Sequence, residues 1–427
     1  MTRIPLSGTA DVTRQIEEPF SFRALSMEFR FLRKKDLLRT ALYLILALLI
    51  LGYFRNTLRK GMSDFKVVHR AAARVLHQEN LYNPADGHYV YKYSPSFAVL
   101  IAPLALLPLF PAQVLWLMGM CACLFFILKW SKGMILGDKP PPAYLYILTL
   151  AATSRFWVRE FWLGQTDLLM LLFVFLFILC SNRGQNLRAG LFLALSAAIK
   201  PTSLVFVPYL LYKRRFSLIG WSAAAGAALF VLPSLIYGAS GDLRLFNDWR
   251  AIMSSSSPPL VKAFVNQSLF GMFHRFLAGP STVGLLSLDA GLVNLLTCAC
   301  AIGLFLGLIL LSRRSKLVEN GLARQPETVE YSLLLIFTAL FSPLGWFQNF
   351  LSSLPAYMLL LYYLFHVRFR DRSLLICLLL SFVLINVFNF EMVGRRTSDL
   401  LLALSSVTFG IFLVMAGLFK LRLSRIA

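Results

Sequence analysis

The sequence predicts an all-α polytopic membrane protein, and three observations carry that expectation. Of the 427 residues, 58% are hydrophobic and 15% are charged, against about a quarter charged in an ordinary soluble domain. The apolar residues come in runs of about 18 to 25, the length that crosses a hydrocarbon core of roughly 30 Å. Stretches such as Leu168 to Cys180 lack the alternation of apolar and polar residues that a membrane β-barrel needs.

The elements follow from the same runs. Residues 1–36 are polar and end in Arg33-Lys34-Lys35, so they read as a cytoplasmic tail, with the membrane domain over 37–427. No cleavable signal pattern precedes the first apolar run, Leu37 to Phe54, which reads as an anchor in its own right. The segment 55–93 then forms a first outward loop. Within it Phe65, Val68, Ala72, Val75 and Leu76 recur at helical spacing opposite Lys66, His69, Arg70, Arg74 and His77, the pattern of a helix lying in the membrane interface. A run opens at Ser94-Pro95, and Pro111 separates it from another that ends at Lys129-Trp130. Beyond a Gly/Lys/Pro linker over 131–142, spans are expected near 143–158 and 163–180. The run Leu187 to Tyr212 is interrupted by Lys200-Pro201, which fits either one kinked span or a broken helix pair lining a cavity. A span over 218–237 leads to a second outward loop, 238–282. Later spans are expected near 285–311, 331–345, 350–365, 374–390 and 400–419, giving about twelve with both termini inside.

The net charge of +22 does not point to nucleic acid, because many cations flank apolar runs as the positive-inside rule demands. Clusters such as Lys213-Arg214-Arg215 and Arg313-Arg314 suit anionic membrane lipids. All six cysteines lie in or beside apolar runs and read as packing residues. Neither a phosphate-cradling Gly-rich loop nor a His/Cys metal constellation is present in the sequence, so neither a metal nor a cofactor is expected.

Ionisable and polar residues beside apolar runs are the candidates for chemistry. Ser63 or Asp64 caps the amphipathic helix, whose amino terminus would lower the Asp64 pKa, or Asp64 is a general base that takes a proton from a hydroxyl. Tyr82, Tyr91 and Tyr93 form either an interfacial belt or a surface that stacks on a sugar. Gln165 and Asp167 open an apolar run, where Asp167 is a helix-end partner or faces a polar cavity. Lys200 either snorkels or clamps a phosphate. Asn266, Gln267 and Arg275 fall in the second outward loop, and Trp346, Gln348 and Asn349 form a polar break between spans. Arg395 and Arg396, in a loop expected to face outward, run against the positive-inside trend, as an anionic ligand or an ordinary solvated loop would explain.

Taken in order, these pieces resemble a known family. Ser-Asp-Phe before the helix, Leu-Tyr-Asn-Pro, Tyr-x-Tyr-Ser-Pro leading into Ala102 to Pro108, Gly-Gln-x-Asp-Leu-Leu, the stretch Ala197 to Thr202, Asn-Gln-Ser-Leu and Ser-Pro-x-x-Trp resemble glycosyltransferase family 87 from about Asp64 to Tyr357. Those enzymes are polyprenyl-phosphate-mannose-dependent mannosyltransferases of the GT-C membrane fold. The resemblance implies a helix bundle in the cell membrane with its active site on the extracytoplasmic side. It also implies a polyprenyl-phosphate sugar donor, a lipid or glycan acceptor, Asp64 as general base and inversion at the anomeric carbon. Two departures stand out: Gln348-Asn349 where members often carry His, and Asp167 where they often carry Asn. The competing expectation is a transporter or flippase of a lipid-linked or anionic solute, with Lys200 and Asp167 at its centre.

Overall fold

The structure is a computed structural model that describes residues 40, 44–45, 48–279, 283–312, 327–367 and 371–423. The expected tail, part of the first apolar run, Arg313-Arg314 and the carboxyl-terminal end lie outside the described residues. The chain divides into two compact units, Met1–Arg59 and Lys60–Ala427. In the first, residues 48–59 are helical.

Among the described residues of the second unit the regular structure is helical, and the sole pairing of β type is an isolated bridge between Asn266 and Trp346. The helices run α1 (Ser63–Leu76), α2 (Pro95–Ile101), α3 (Leu109–Leu136), α4 (Ala143–Ala152), α5 (Ser154–Leu163), α6 (Asp167–Asn182) and α7 (Asn186–Ile199). They continue as α8 (Phe206–Tyr212), α9 (Phe216–Val231), α10 (Ser234–Ser256), α11 (Pro258–Val261), α12 (Leu269–Leu277) and α13 (Ala290–Ser312). The last six are α14 (Thr328–Leu340), α15 (Leu354–Tyr362), α16 (Arg372–Phe382), α17 (Phe390–Val393), α18 (Arg395–Ala403) and α19 (Ser406–Leu423).

Helices α3, α13 and α19 are long and apolar enough to cross a membrane, and the bent pairs α5–α6 (117°) and α9–α10 (92°) raise that number to five. Several other apolar helices are 10–17 residues long, shorter than the roughly 20 residues of a perpendicular crossing. The architecture is that of a membrane protein, with fewer full-length spans than the twelve the sequence suggests. Every residue of α14 is buried, and α15 is buried over Leu354 to Leu361. These helices form the centre of the core, packed together and against α19.

The structure departs from the sequence expectation at several places. Pro111 does not separate two runs, because it falls in the first turn of α3, where a missing N–H costs no helical hydrogen bond. Helix α1 buries Phe65, Val68, Ala71, Ala72 and Val75 against α2, α3 and the 3-10 segment Ala102–Leu106, so protein covers its apolar face, while Leu76 is exposed. The expected loop 238–282 is largely helical, as α10 to α12. Its first helix docks on the segment after α1: Tyr237 donates to the Glu79 carbonyl at 3.0 Å, Asn80 to Asp248 at 3.0 Å and Trp249 to the Lys92 carbonyl at 3.0 Å. Of the cysteines, Cys123 and Cys180 are buried as packing residues are, whereas Cys298 is exposed.

Candidate functional site

Asp64 lies in the first turn of α1, and neither it nor Ser63 caps the helix. The cap position belongs to Met62, which is fully buried in a left-handed conformation (φ 59°) with no side-chain cap. Its N–H donates to the Trp162 carbonyl at 2.7 Å. The Asp64 carboxylate is thereby left for other partners. Ser63 Oγ donates to Oδ1 at 3.0 Å, and Gln165 Nε2 donates to Oδ2. Gln165 is oriented from its other end, where Oε1 accepts the Tyr93 hydroxyl at 3.3 Å. An ionised carboxylate only accepts, so the amide nitrogen has to face Asp64.

The turn that delivers Gln165 is built by Gly164. This glycine ends α5 in the left-handed region (φ 66°), with Gly164 N bonded to the Phe161 carbonyl and Gln165 N to that of Glu160, a Schellman closure. A Cβ at Gly164 would lie 2.7 Å from Phe65 Cβ. The absence of that atom lets α1 seat against the turn and brings Asp64 to Gln165. Trp116 Nε1 donates to the Gly164 carbonyl at 3.1 Å and locks the turn from the α3 side.

Asp167 follows at the first position of α6 and is 1% exposed. Both of its carboxylate oxygens accept from Lys200 Nζ at 2.7 Å. Lys200 is free to reach it because Pro201 interrupts α7. Proline disfavours helical geometry in the residue before it, and Lys200 is extended (φ −140°, ψ 116°). The 3-10 turn Pro201–Val205 then carries the chain into α8, so the run 187–212 is a broken helix. Glu160, fully buried, accepts Leu168 N–H through Oε1 at 3.1 Å, and no partner meets its Oε2.

Burial raises the Asp64 pKa; the Ser63 hydrogen bond and the charges of Lys200 and Arg159 pull it back down only in part. The helix amino terminus, expected to lower it, is outweighed. Lys92 also interacts with Asp64, while burial lowers its own pKa. Burial pushes the Tyr93 phenol up, which suits a donor to Gln165 rather than an acid. Three cations, Lys92, Arg159 and Lys200, thus act on one carboxylate of raised basicity.

Tyr82 and Tyr91 stand behind Tyr93. Their rings pack at 5.7 Å, and Tyr91 and Tyr93 at 5.6 Å. Their hydroxyls are spent on the Tyr93 carbonyl (2.7 Å) and the Ser94 carbonyl (3.2 Å), so they support the site rather than present hydroxyls to it. On the other side of Tyr93, Ser94 Oγ donates to the Ala198 carbonyl. Both residues line an apolar cavity of about 400 Å³, with Leu193, Ala223, Gly226 and Trp249 among its walls. The cavity therefore begins one residue from Tyr93 and two from Lys200.

The remaining sequence candidates lie elsewhere. Asn266, Gln267 and Arg275 are buried and tie backbone together. Asn266 donates to the Val261 and Pro343 carbonyls and accepts from Gly345 N, each at 2.9 Å. Gln267 donates to the Leu402 carbonyl at 2.7 Å. Arg275 donates to the carbonyls of Ala403, Ala263 and Asn266 and to Ser405 Oγ, all within 2.9 Å. Trp346 pairs with Asn266 in the isolated bridge. Gln348 is buried in the 3-10 segment Phe347–Ser353, and Asn349 Oδ1 is buried without a partner. That segment packs on α5. Arg395 and Arg396 are exposed at the start of α18.

Glu160, Arg159 and Lys92 are not among the residues the sequence singles out. An acidic residue in an apolar stretch, such as Glu160, was the available signal. Among the described residues no group of three or more His, Cys, Asp or Glu side chains is placed to hold a metal ion.

The family profile described as Glycosyltransferase family 87 matches residues 91–343. The matched stretch holds Tyr93, Gln165 and Lys200; Asp64 precedes it. No curated protein matches the sequence.

Proposed function

The chain belongs to glycosyltransferase family 87, and from that premise we propose that it moves a hexose, expected to be mannose, from a polyprenyl-phosphate donor to a lipid or glycan hydroxyl. The observation that carries the reading is the joining of two features. A carboxylate of raised pKa, held by Gln165 and Ser63, sits among cations, and an apolar cavity is lined by Ser94 and Ala198, neighbours in the chain of Tyr93 and Lys200. A charged phosphate and a long hydrocarbon chain need those two environments side by side.

The acceptor hydroxyl attacks the anomeric carbon as Asp64 takes its proton. The new C–O bond forms on the face opposite the breaking bond to the phosphate oxygen, so the configuration inverts. The leaving polyprenyl phosphate carries off the bonding electron pair, and Arg159 and Lys92, with the Lys200–Asp167 pair beside them, offset the charge that develops on it. Gln165 keeps the basic oxygen of Asp64 aimed while Tyr93 fixes Gln165. The hydrocarbon tail lies in the cavity between α2, α7, α9 and α10. On this reading the site faces the extracytoplasmic side of the cell membrane, with about twelve membrane segments when the short broken helices are included. Gln348, Asn349, Arg395 and Arg396 are then left to the acceptor or to the lipid surface.

The test is incubation of purified protein with a panel of radiolabelled polyprenyl-phosphate hexoses and a membrane lipid extract. The proposal requires label in a new product together with release of polyprenyl phosphate. Movement of intact donor across a vesicle without any transfer favours the transport reading instead.

A further inference from the structure

We propose that Asp167 determines which phosphate ester the site retains. By holding Lys200 in a neutral ion pair, it lets the singly charged phosphodiester of a donor bind and discourages the doubly charged monoester left after transfer. The inference rests on the reading of the protein as a lipid-phosphate glycosyltransferase and adds a selectivity residue to it.

The geometry carries the first step. Lys200 Nζ is shared between both oxygens of Asp167 at 2.7 Å, with the Lys200 side chain 17% exposed and that of Asp167 1%. An ammonium so paired offers little net charge to an incoming anion. The carboxylate cannot turn away to solvent, because it is buried at the head of α6 behind the Gly164 turn. The second step is position. Ser94 and Ala198 belong to the cavity wall, and Lys200 follows Ala198 by two residues. Tyr93, next to Ser94, interacts with both Lys200 and Asp167, so on this proposal the phosphate of a chain lying in that cavity sits beside this pair. The third step is the charge around the pair. Asp64 lies across Gln165 from it, and both Asp64 and Asp167 interact with Lys200.

These charges treat the two esters differently. A phosphodiester has one negative charge, which Arg159 and Lys92 balance without help from the paired Lys200. A phosphate monoester has a second pKa of about 6, so it is largely a dianion at pH 8. Its extra charge gains little from a cation already neutralised by Asp167, and it is repelled by Asp167 and Asp64. One uncompensated unit charge within several ångströms in a partly buried site changes an equilibrium by roughly tenfold or more. Asp167 thus weakens product retention more than donor binding, which favours release of the polyprenyl phosphate after each transfer.

The test is binding by the purified full-length protein at pH 8, using geranylgeranyl phosphate as monoester and methyl geranylgeranyl phosphate as diester. Neither carries a sugar, so the measurement does not depend on turnover. Wild type is expected to bind the two within about threefold of each other, whereas Asp167→Asn tightens the dianionic monoester more than the monoanionic diester and raises their binding ratio by about tenfold. Asp167→Glu restores the wild-type ratio, and Lys200→Gln added to Asp167→Asn abolishes the gain. Equal changes for both esters in Asp167→Asn, or none, overturn the inference and make Asp167 a structural residue. If Asp167→Asn does not fold, wild type decides alone, because a monoester preference of tenfold or more contradicts a neutralised Lys200. Failure of wild type to bind either ester, with no sugar transfer, refutes the glycosyltransferase reading itself. Binding of both without the predicted discrimination refutes only the role of Asp167.

Discussion

Gln165 donates its side-chain amide to the Asp64 carboxylate across 101 residues of sequence, and the Tyr93 hydroxyl holds the other end of the same amide. The geometry of the site follows from that relay. A carboxylate that works as a base has to present one oxygen to its substrate, and Gln165 and Ser63 fix which way Asp64 turns.

Removing the relay should impair chemistry more than folding. Gln165→Ala is expected to lower kcat by about 10- to 100-fold, the worth of a hydrogen bond to a charged group, with a small change in thermal stability. Gln165→Glu should be worse, since it sets a second carboxylate against Asp64. Steady-state kinetics beside thermal unfolding in detergent distinguishes this from a general loss of fold.

The raised pKa of Asp64 gives a pH dependence of definite sign. Activity should fall as the medium is acidified through a midpoint above the ordinary aspartate range, because the base is then protonated. The linked effect on stability runs the other way. A folded-state pKa above the unfolded one means that the native state binds more protons, so its contribution is complete below the unfolded pKa and is lost as pH rises through the folded value. Asp64→Asn should flatten that slope and be no less stable than wild type at neutral pH, as unfolding midpoints across pH would show.

Gly164 is the backbone counterpart of the relay. Gly164→Ala forces a Cβ into Phe65 at 2.7 Å in a conformation (φ 66°) that side chains rarely adopt. A loss of about 1–3 kcal/mol is expected, with α1 pushed away from the turn. Reduced thermal stability should therefore come with a drop in kcat exceeding that of a neighbouring control such as Leu163→Ala.

Arg275 should behave in the opposite way. Its guanidinium satisfies three backbone carbonyls and a serine hydroxyl, so Arg275→Ala leaves several buried acceptors unpaired and is expected to cost about 3 kcal/mol or more. Folded yield and unfolding temperature should fall, while KM for donor in the surviving protein stays near wild type.

These contrasts show what the sequence carried. Asp64, Tyr93, Gln165 and Lys200 were legible because polar and ionisable residues beside apolar runs are costly and few, and the structure brings those four to one place. The polar partners of Arg275 and Asn266 were not legible. Apart from the Ser405 hydroxyl they are mostly backbone carbonyls and N–H groups exposed by turns, at Ala263, Gly345 and Ala403 among others, and no residue type announces a free carbonyl. Residues 238–256 read as a loop because charge interrupts the hydropathy, yet Tyr237, Asp248 and Trp249 use that polarity to dock a helix on the segment after α1. The left-handed Met62 was equally hidden. Its conformation comes from the close approach of α1 to the Gly164 turn, a tertiary constraint that local preference does not encode.

Whether Asp64 is the base is decided by single-turnover transfer from a labelled polyprenyl-phosphate hexose by wild type and Asp64→Asn, prepared at matched unfolding temperature and matched donor occupancy. With Asp64 as the base, the rate falls by at least about a hundredfold in the variant, the usual worth of a general base, with donor binding retained. A variant that transfers within a few-fold of wild type would show that another group takes the proton and that the Gln165–Asp64 contact serves the fold alone.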